Sequence, residues 1–122
     1  MKKYILIFPA LFLSLLALSA KDGWTVREHL DKAGENLSKD PAIAIYHAGQ
    51  ALTEASSSKQ PALIAEAQYL IANAYINMGD YVTSYEYLLE AERNCPEEDS
   101  SLMADIYLSI SYSYQKIKDF DH

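Results

Sequence analysis

The sequence predicts an all-α protein made of antiparallel helix pairs that stack on one another. Two observations lead to this prediction. Turn-forming residues divide the chain after residue 20 into five stretches of helical length, and two of these stretches are copies of each other. No stretch in this part of the chain reads as a strand. The expected helices run over about residues 24–38, 41–55, 61–78, 80–94 and 100–117.

The residues at the ends of these stretches suit helix ends. Asp40 precedes Pro41 and Asp80 follows Gly79, so each aspartate can accept a hydrogen bond from a free backbone N–H of the first helical turn. Pro41 and Pro61 stand where a first-turn proline loses no hydrogen bond. Gly79 can take the positive φ angle that ends a helix. The last helix is expected to end before Lys118 and Asp119.

The internal copies are residues 65–81 and 104–120, at a constant offset of 39 residues. The matched pairs include Ala65 and Ala104, Ile71 and Ile110, Ala72 and Ser111, Tyr75 and Tyr114, Asp80 and Asp119, and Tyr81 and Phe120. A weaker copy precedes them at an offset of 40 residues, which aligns Asp40 with Asp80, Ala44 with Ser84 and Ala51 with Ala91. Self-similarity at such a period is typical of a solenoid of stacked helix pairs.

Residues 65–96 resemble the tetratricopeptide repeat. The positions that carry the resemblance are Ala65, Tyr69, Ile71, Ala72, Asn73, Ala74, Tyr75, Gly79, Asp80, Tyr81, Ser84, Leu88, Ala91 and Pro96. The chain departs from the family at Gln68, Ala72, Ser84 and Lys118, and its period exceeds the family's period of about 34 residues. The resemblance implies about two and a half repeats in a short right-handed superhelix. These would be a divergent capping helix pair at 21–60, a repeat at 61–98 and an incomplete repeat at 99–122.

The first twenty residues have the layout of a secretory signal peptide. Lys2 and Lys3 precede an apolar run over 4–17, and small residues follow at Ser19 and Ala20. Cleavage near Ser19 or Ala20 would export the protein to the periplasm or the cell exterior. Two alternatives remain, namely an uncleaved membrane anchor, disfavoured by Pro9 and the short apolar run, and a cytoplasmic core segment. Membrane association is expected only with an uncleaved segment or a further span downstream.

The charge balance argues against nucleic acid as a partner. Without Lys2 and Lys3, the chain after residue 20 has 8 basic and 17 acidic residues, a net charge of −9. Such a domain repels phosphate backbones, and it has no cluster of Lys or Arg to overcome that repulsion.

No set of catalytic, cofactor-binding or metal-binding residues is recognisable, so we expect a protein that is not an enzyme and has no cofactor. His29, His47 and His122 are far apart in sequence, and no two histidines have the spacing of a helical metal pair. Residues Glu28, His29 and Asp31 are expected on a solvated helix face, with a weak metal site as the alternative, and residues 56–58 in a flexible loop. The single Cys95 is expected to be a small, partly buried residue, or otherwise a spare thiol.

The resemblance implies a concave groove lined by one helix of each pair. Its expected lining residues are Glu66, Tyr69, Asn73, Ile76, Asn77, Asp105, Leu108, Tyr112, Gln115 and Lys116. This mixture of aromatic, amide and acidic groups suits a protein or peptide ligand. The tyrosines could equally be ordinary half-buried residues. Recognition of a terminal carboxylate is disfavoured because Glu66 and Asp105 would stand close to Asn73.

The last predicted helix lacks a covering helix within the sequence. Its apolar residues Ile106, Tyr107, Ile110, Tyr114 and Ile117 would therefore be left half-exposed. We expect either that the sequence is the front of a longer repeat protein or that another chain covers this face, with self-association as one possibility. The exported repeats resemble the sensory regions of Bacteroides-type membrane histidine kinases and regulators. A free-standing exported scaffold or assembly factor is the alternative, and a small-ligand-binding or hydrolytic protein with an unrecognised site is a remote one.

Overall fold

The computed structural model describes residues 23–120, which form five helices and no strand. The helices are α1 (Val26–Asn36), α2 (Pro41–Ser57), α3 (Pro61–Asn77), α4 (Tyr81–Asn94) and α5 (Ser100–Phe120). The all-α prediction is therefore confirmed for this part of the chain. The expected signal segment, residues 1–20, lies outside the described residues.

The two aspartates expected at helix starts cap the helices that follow them. Asp40 accepts a hydrogen bond from the backbone N–H of Ile43 at 3.3 Å, and Asp80 accepts one from Thr83 at 3.1 Å. Gly79 has a φ angle of 82°, as its place between two helices predicts. These contacts satisfy N–H groups that a helix leaves unpaired in its first turn.

Helix α1 begins with a capping box that the sequence prediction did not use. The Thr25 hydroxyl accepts a hydrogen bond from the backbone N–H of Glu28 at 3.1 Å, and the Glu28 carboxylate accepts one from the N–H of Thr25 at 3.2 Å. Two free donors are thus satisfied reciprocally, which starts the helix at Val26 rather than at Trp24.

Two expected helix ends were wrong. Ser56 and Ser57 belong to α2 and not to a loop, and the Ser57 hydroxyl donates to the Thr53 carbonyl at 3.1 Å, one turn earlier. The last helix continues through Lys118 and Asp119 to Phe120. Lys118 stands where the preceding copy has Gly79, and a residue with a Cβ atom does not readily take the positive φ that stops a helix.

Small side chains lie where the helices meet. Ala65 and Ala72 of α3 and Ser84 and Ala91 of α4 are completely buried. Each successive pair of helices packs together, and α1 also contacts α3 while α3 also contacts α5. One core cluster lies between α1, α2 and α3, and a second joins α3, α4 and α5 around Ile106. Close approach of helix backbones requires such small residues, and larger ones fill the spaces between.

The expectation that Ile106 is left half-exposed was wrong. Ile106 is completely buried in the second core cluster, and Ile110 and Ile117 are half-buried. Tyr107 and Tyr114 are indeed exposed. The difference follows from the helix geometry, because Ile106 points to α3 and α4 while the two tyrosines lie about 100° further round the helix.

Candidate functional site

The first, third and fifth helices are joined by polar contacts between residues about one repeat apart. At one end, the Arg27 guanidinium of α1 donates to both carboxylate oxygens of Glu66 on α3, at 2.8 Å each. This hydrogen bond to Glu66 is the main reason that the pKa of Arg27 is raised. A bidentate pair of this kind fixes the relative position of two helices better than a single contact does.

The other end of α1 is joined to α3 by Asn77. Its Nδ2 donates to the backbone carbonyl of Leu37 at 2.6 Å. Leu37 is the C-cap of α1, where carbonyl groups have no partner within the helix. The Asn77 side chain therefore completes the end of a helix that lies 40 residues earlier in the chain.

Asn73 forms the corresponding contact between α3 and α5. Its Nδ2 donates to the Tyr69 carbonyl at 3.0 Å, and its Oδ1 accepts from the Ser109 hydroxyl at 3.5 Å. We call these three connections, Arg27 to Glu66, Asn77 to Leu37 and Ser109 to Asn73, the polar ladder. Three of the expected groove residues, Glu66, Asn73 and Asn77, therefore bind neighbouring helices of their own chain.

The expected groove residues of α5 are more accessible. Leu108 is 71% exposed, Tyr112 is 47% exposed and Asp105 is exposed. The Lys116 ammonium lies 5.5 Å from the centroid of the Tyr112 ring, and Tyr81 of α4 meets that ring edge-on. The tyrosine thus has two neighbours and still remains about half exposed, which suits a contact residue.

The remaining expected residues differ in their surroundings. Tyr69 is half-buried and packs against both core clusters, and Ile76 is half-buried. Gln115 lies on an outer face of α5, where it lines a shallow depression with Ser111, Tyr114, Lys118 and Asp119. Asp105, Leu108, Tyr112 and Lys116 therefore all lie on α5. That helix packs beside α3, which carries the ladder residues Glu66, Asn73 and Asn77.

Within residues 23–120, no group of three or more His, Cys, Asp or Glu side chains could hold a metal ion. None of the described helices is both long enough and apolar enough to cross a membrane.

No family model, curated protein or solved structure matches the chain.

A histidine pair between α1 and α2 was missed at the level of sequence. His29 is only 1% exposed, and its Nδ1 lies 2.9 Å from the Nδ1 of His47. The Trp24 ring stacks on both imidazoles, with centroid distances of 5.4 and 5.0 Å. The expectation that His29 lies on a solvated face was wrong, whereas Glu28 and Asp31 are exposed.

The sequence contained a weak signal for this pair. His29 stands four residues before the buried Ala33, on the face that packs against α2. Only the crossing of α1 and α2 decides that His47 meets it, since the two histidines are 18 residues apart. The paired rings and Trp24 hold the first two helices together through stacking and a polar contact.

Cys95 is buried at the end of α4, in agreement with the expected small, partly buried residue. Its Sγ lies 3.6 Å from the Pro96 carbonyl oxygen and 3.8 Å from that of Asp99. Burial raises the pKa of the thiol, and the nearby carboxylates of Asp99 and Glu98 raise it further. The nucleophilic thiolate is therefore disfavoured at neutral pH.

Proposed function

We propose that this chain is a tetratricopeptide-like repeat protein that acts outside the cytoplasm and binds a segment of another protein. The binding surface would be the face formed by α1, α3 and α5. The polar ladder is the observation that supports this proposal most, because it joins alternate helices at separations of 39, 40 and 36 residues, close to the period of the sequence.

The separation of α2 from α4 is the second observation that supports this proposal. Although backbones of α1 and α3, and of α3 and α5, approach each other closely, no Cα atoms of α2 and α4 lie within 8 Å of one another among the described helices. Alternate helices that converge on one side and diverge on the other produce a curved stack with an inner face. In such a curved stack, the residues of the polar ladder would line the concave face, and their contacts would stabilise the curvature.

The ladder also limits where a ligand can bind. Glu66, Asn73 and Asn77 already have partners, so a ligand that used them would first have to break those contacts. Leu108 and Tyr112 have accessible apolar surface and need no such exchange. We therefore infer that Leu108 and Tyr112 of α5 form the main apolar contact with the ligand, which we call the anchor. Helix α3 would contribute the polar part of the binding surface.

Charge indicates the chemistry of the ligand. Asp105 is exposed one turn before Leu108, and the chain after residue 20 has a net charge of −9. Opposite charges favour encounter and orientation at protein surfaces. The ligand would be a peptide segment with an apolar side chain for Leu108 and Tyr112 and a Lys or Arg near Asp105.

A selection from a random peptide display library tests this function. Peptides captured by the wild-type chain should be enriched in a basic residue close to an apolar one. A Leu108→Ser/Tyr112→Ser variant should lose most of their binding, since the anchor contributes most of the affinity.

The matched control is Val82→Ser/Tyr46→Ser, which removes an exposed aliphatic and an exposed tyrosine from α4 and α2. Binding to that variant should be unchanged. If the Leu108→Ser/Tyr112→Ser variant retained the selected peptides, or if both variants lost them equally, the assigned surface would be rejected.

The cellular location is part of the proposal and depends on the layout of residues 1–20. We expect the protein recovered from cells to begin at Ala20 or Lys21, which intact mass measurement shows directly. A mature chain that kept Met1 or Lys2 would instead support the membrane-anchored alternative. On the resemblance alone, the module would serve as the front of a sensor or regulator, and a signalling domain encoded downstream is the test of that role.

A further inference from the structure

The contact between α1 and α2 depends on two imidazoles as well as on apolar burial. Helix α1 has 11 residues, and its buried side chains are His29, Leu30 and Ala33. The Nδ1 of His29 lies 2.9 Å from that of His47 on α2, and the Trp24 ring stacks on both imidazoles. We call His29, His47 and Trp24 the histidine latch. Because α1 buries so few apolar side chains, loss of this contact would remove much of what holds α1 against α2.

The contact between the two rings limits how many protons they can carry. A hydrogen bond between two Nδ1 atoms requires that one ring donates and the other accepts, so at least one imidazole must be neutral. One charged ring fits this arrangement, because its N–H still donates and the face of Trp24 attracts a cation. Two charged rings do not fit, since two N–H donors would then point at each other and two like charges would meet where His29 is only 1% exposed.

We propose that the histidine latch is an acid-sensitive switch, which holds α1 against α2 while no more than one of its imidazoles is charged and releases α1 when both are charged. In an unfolded chain, histidines take up their protons near pH 6.5. The released state therefore binds one proton more than the closed state, and its population rises as the pH falls below that value. The latch is closed at neutral pH and opens on acidification.

Other titratable and charged groups surround the latch on α1, α2 and α3. They are Arg27, Glu28, Asp31, Lys32 and Glu35 on α1, Lys39 and Asp40 in the turn that follows, Tyr46 and Glu54 on α2, and Glu66, Tyr69 and Tyr75 on α3. The Tyr46 ring meets the His47 ring edge-on at 5.1 Å. Carboxylates generally titrate near pH 4 and phenols near pH 10, so a transition close to pH 6 identifies imidazole as its source.

Release of α1 would also break its two polar contacts with α3. Arg27 of α1 donates to Glu66, and Asn77 donates to the Leu37 carbonyl at the end of α1. Both contacts require α1 in its closed position, so opening of the latch frees two polar side chains of α3 together. The latch lies on α1 and α2 and the anchor lies on α5, so this inference does not rest on the proposed binding function.

Trp24 is the only tryptophan in the sequence, so it reports on the latch without a label. Near-ultraviolet circular dichroism between pH 8 and pH 5 measures whether the ring keeps its ordered place on the imidazoles. We expect a reversible loss of the tryptophan signal with a midpoint below pH 6.5, while most of the far-ultraviolet helix signal remains because α1 has only 11 residues. A tryptophan signal that stayed constant down to pH 5 would overturn the proposal.

Two histidine substitutions test the source of the transition. In His47→Gln the transition should be absent, because glutamine can accept a hydrogen bond from His29 and takes up no proton. The matched control is His122→Gln, at the third histidine of the sequence, and it should behave as wild type. From pH 6.5 to pH 5, the ratio of released to closed molecules should rise by up to about thirtyfold in wild type and in the control. A transition that persisted in His47→Gln, or that was lost in His122→Gln, would contradict the assignment.

A measurement on the wild type decides the question even if His47→Gln does not hold α1 in place. Proton NMR follows the imidazole ring protons of His29 and His47 through the same titration. The switch requires that the second imidazole takes up its proton at the midpoint of the Trp24 transition. If both imidazoles became charged while the Trp24 signal kept its value at pH 8, the proposal would be wrong.

Discussion

At the residue scale, the packing of this protein depends on small side chains in the crossings and on a few polar pairs between helices. The buried Ser84 and Ser113 hydroxyls, 3.2 Å apart, show both features, since they allow α4 and α5 to approach and satisfy each other. The His29 and His47 pair has the same role between α1 and α2. Burial of a polar group is tolerated in each case because it has a partner.

The thiol of Cys95 should react slowly in the folded protein. Burial and the carboxylates of Asp99 and Glu98 raise its pKa, so little thiolate is present near pH 8. Iodoacetamide labelling followed by mass spectrometry should be slow in the native chain and fast in denaturant. Equal rates in both conditions would show that the thiol is accessible.

The same pKa shift predicts a pH dependence of stability. A group whose pKa is raised by folding stabilises the native state below its unfolded pKa, about 8.5 for Cys, and this contribution is lost as the pH rises through the folded pKa. Wild type should therefore lose more stability than Cys95→Ala between neutral and strongly alkaline pH. Parallel urea titrations of the two proteins measure the difference.

At the scale of the element, the helix ends are determined by local chemistry. Asp40 and Asp80 cap α2 and α4. Both caps can be predicted from sequence, because each side chain binds a backbone N–H in the first turn of the helix that follows it. Gly79 is readable for the same reason. The end of α5 was predicted wrongly. Lys118 stands at the position that corresponds to Gly79, but it does not readily take a positive φ angle, so the helix continues.

Two glycine substitutions should change stability in opposite directions. Gly79 has a positive φ of 82°, so Gly79→Ala should destabilise the fold by about 1–2 kcal/mol. Gly34 lies within α1, and a Cβ atom built there has open space around it. Gly34→Ala should therefore stabilise the fold by about 0.5–1 kcal/mol.

Chemical denaturation of both variants against wild type measures this pair of changes. A gain in stability for Gly79→Ala would show that the turn can adopt another conformation. A loss for Gly34→Ala would show that the first helix contributes little to the cooperative fold.

At the scale of the whole molecule, the helices differ in how many neighbours hold them. Helix α3 contacts all four other helices, whereas α5 contacts only α3 and α4 within the described residues. If the helices form the solenoid that we propose, stability should decrease from the middle to the ends, because each unit depends on its neighbours.

Amide hydrogen exchange should reproduce this order. The amides of α3 should be the last to exchange, and those of α1 and α5 should exchange earlier. Uniform exchange across all five helices would contradict the description of a stack with weaker ends.

The sequence by itself determined the helical class, four of the five helix positions to within about two residues, two aspartate caps and the period of the copies. These features depend on short-range chemistry and on spacing, which a linear chain contains. Only the tertiary structure decided that His29 meets His47, that Ile106 is buried and that Glu66, Asn73 and Asn77 bind neighbouring helices. Those outcomes depend on the angle and distance at which helices cross, and no residue specifies that geometry without its partners.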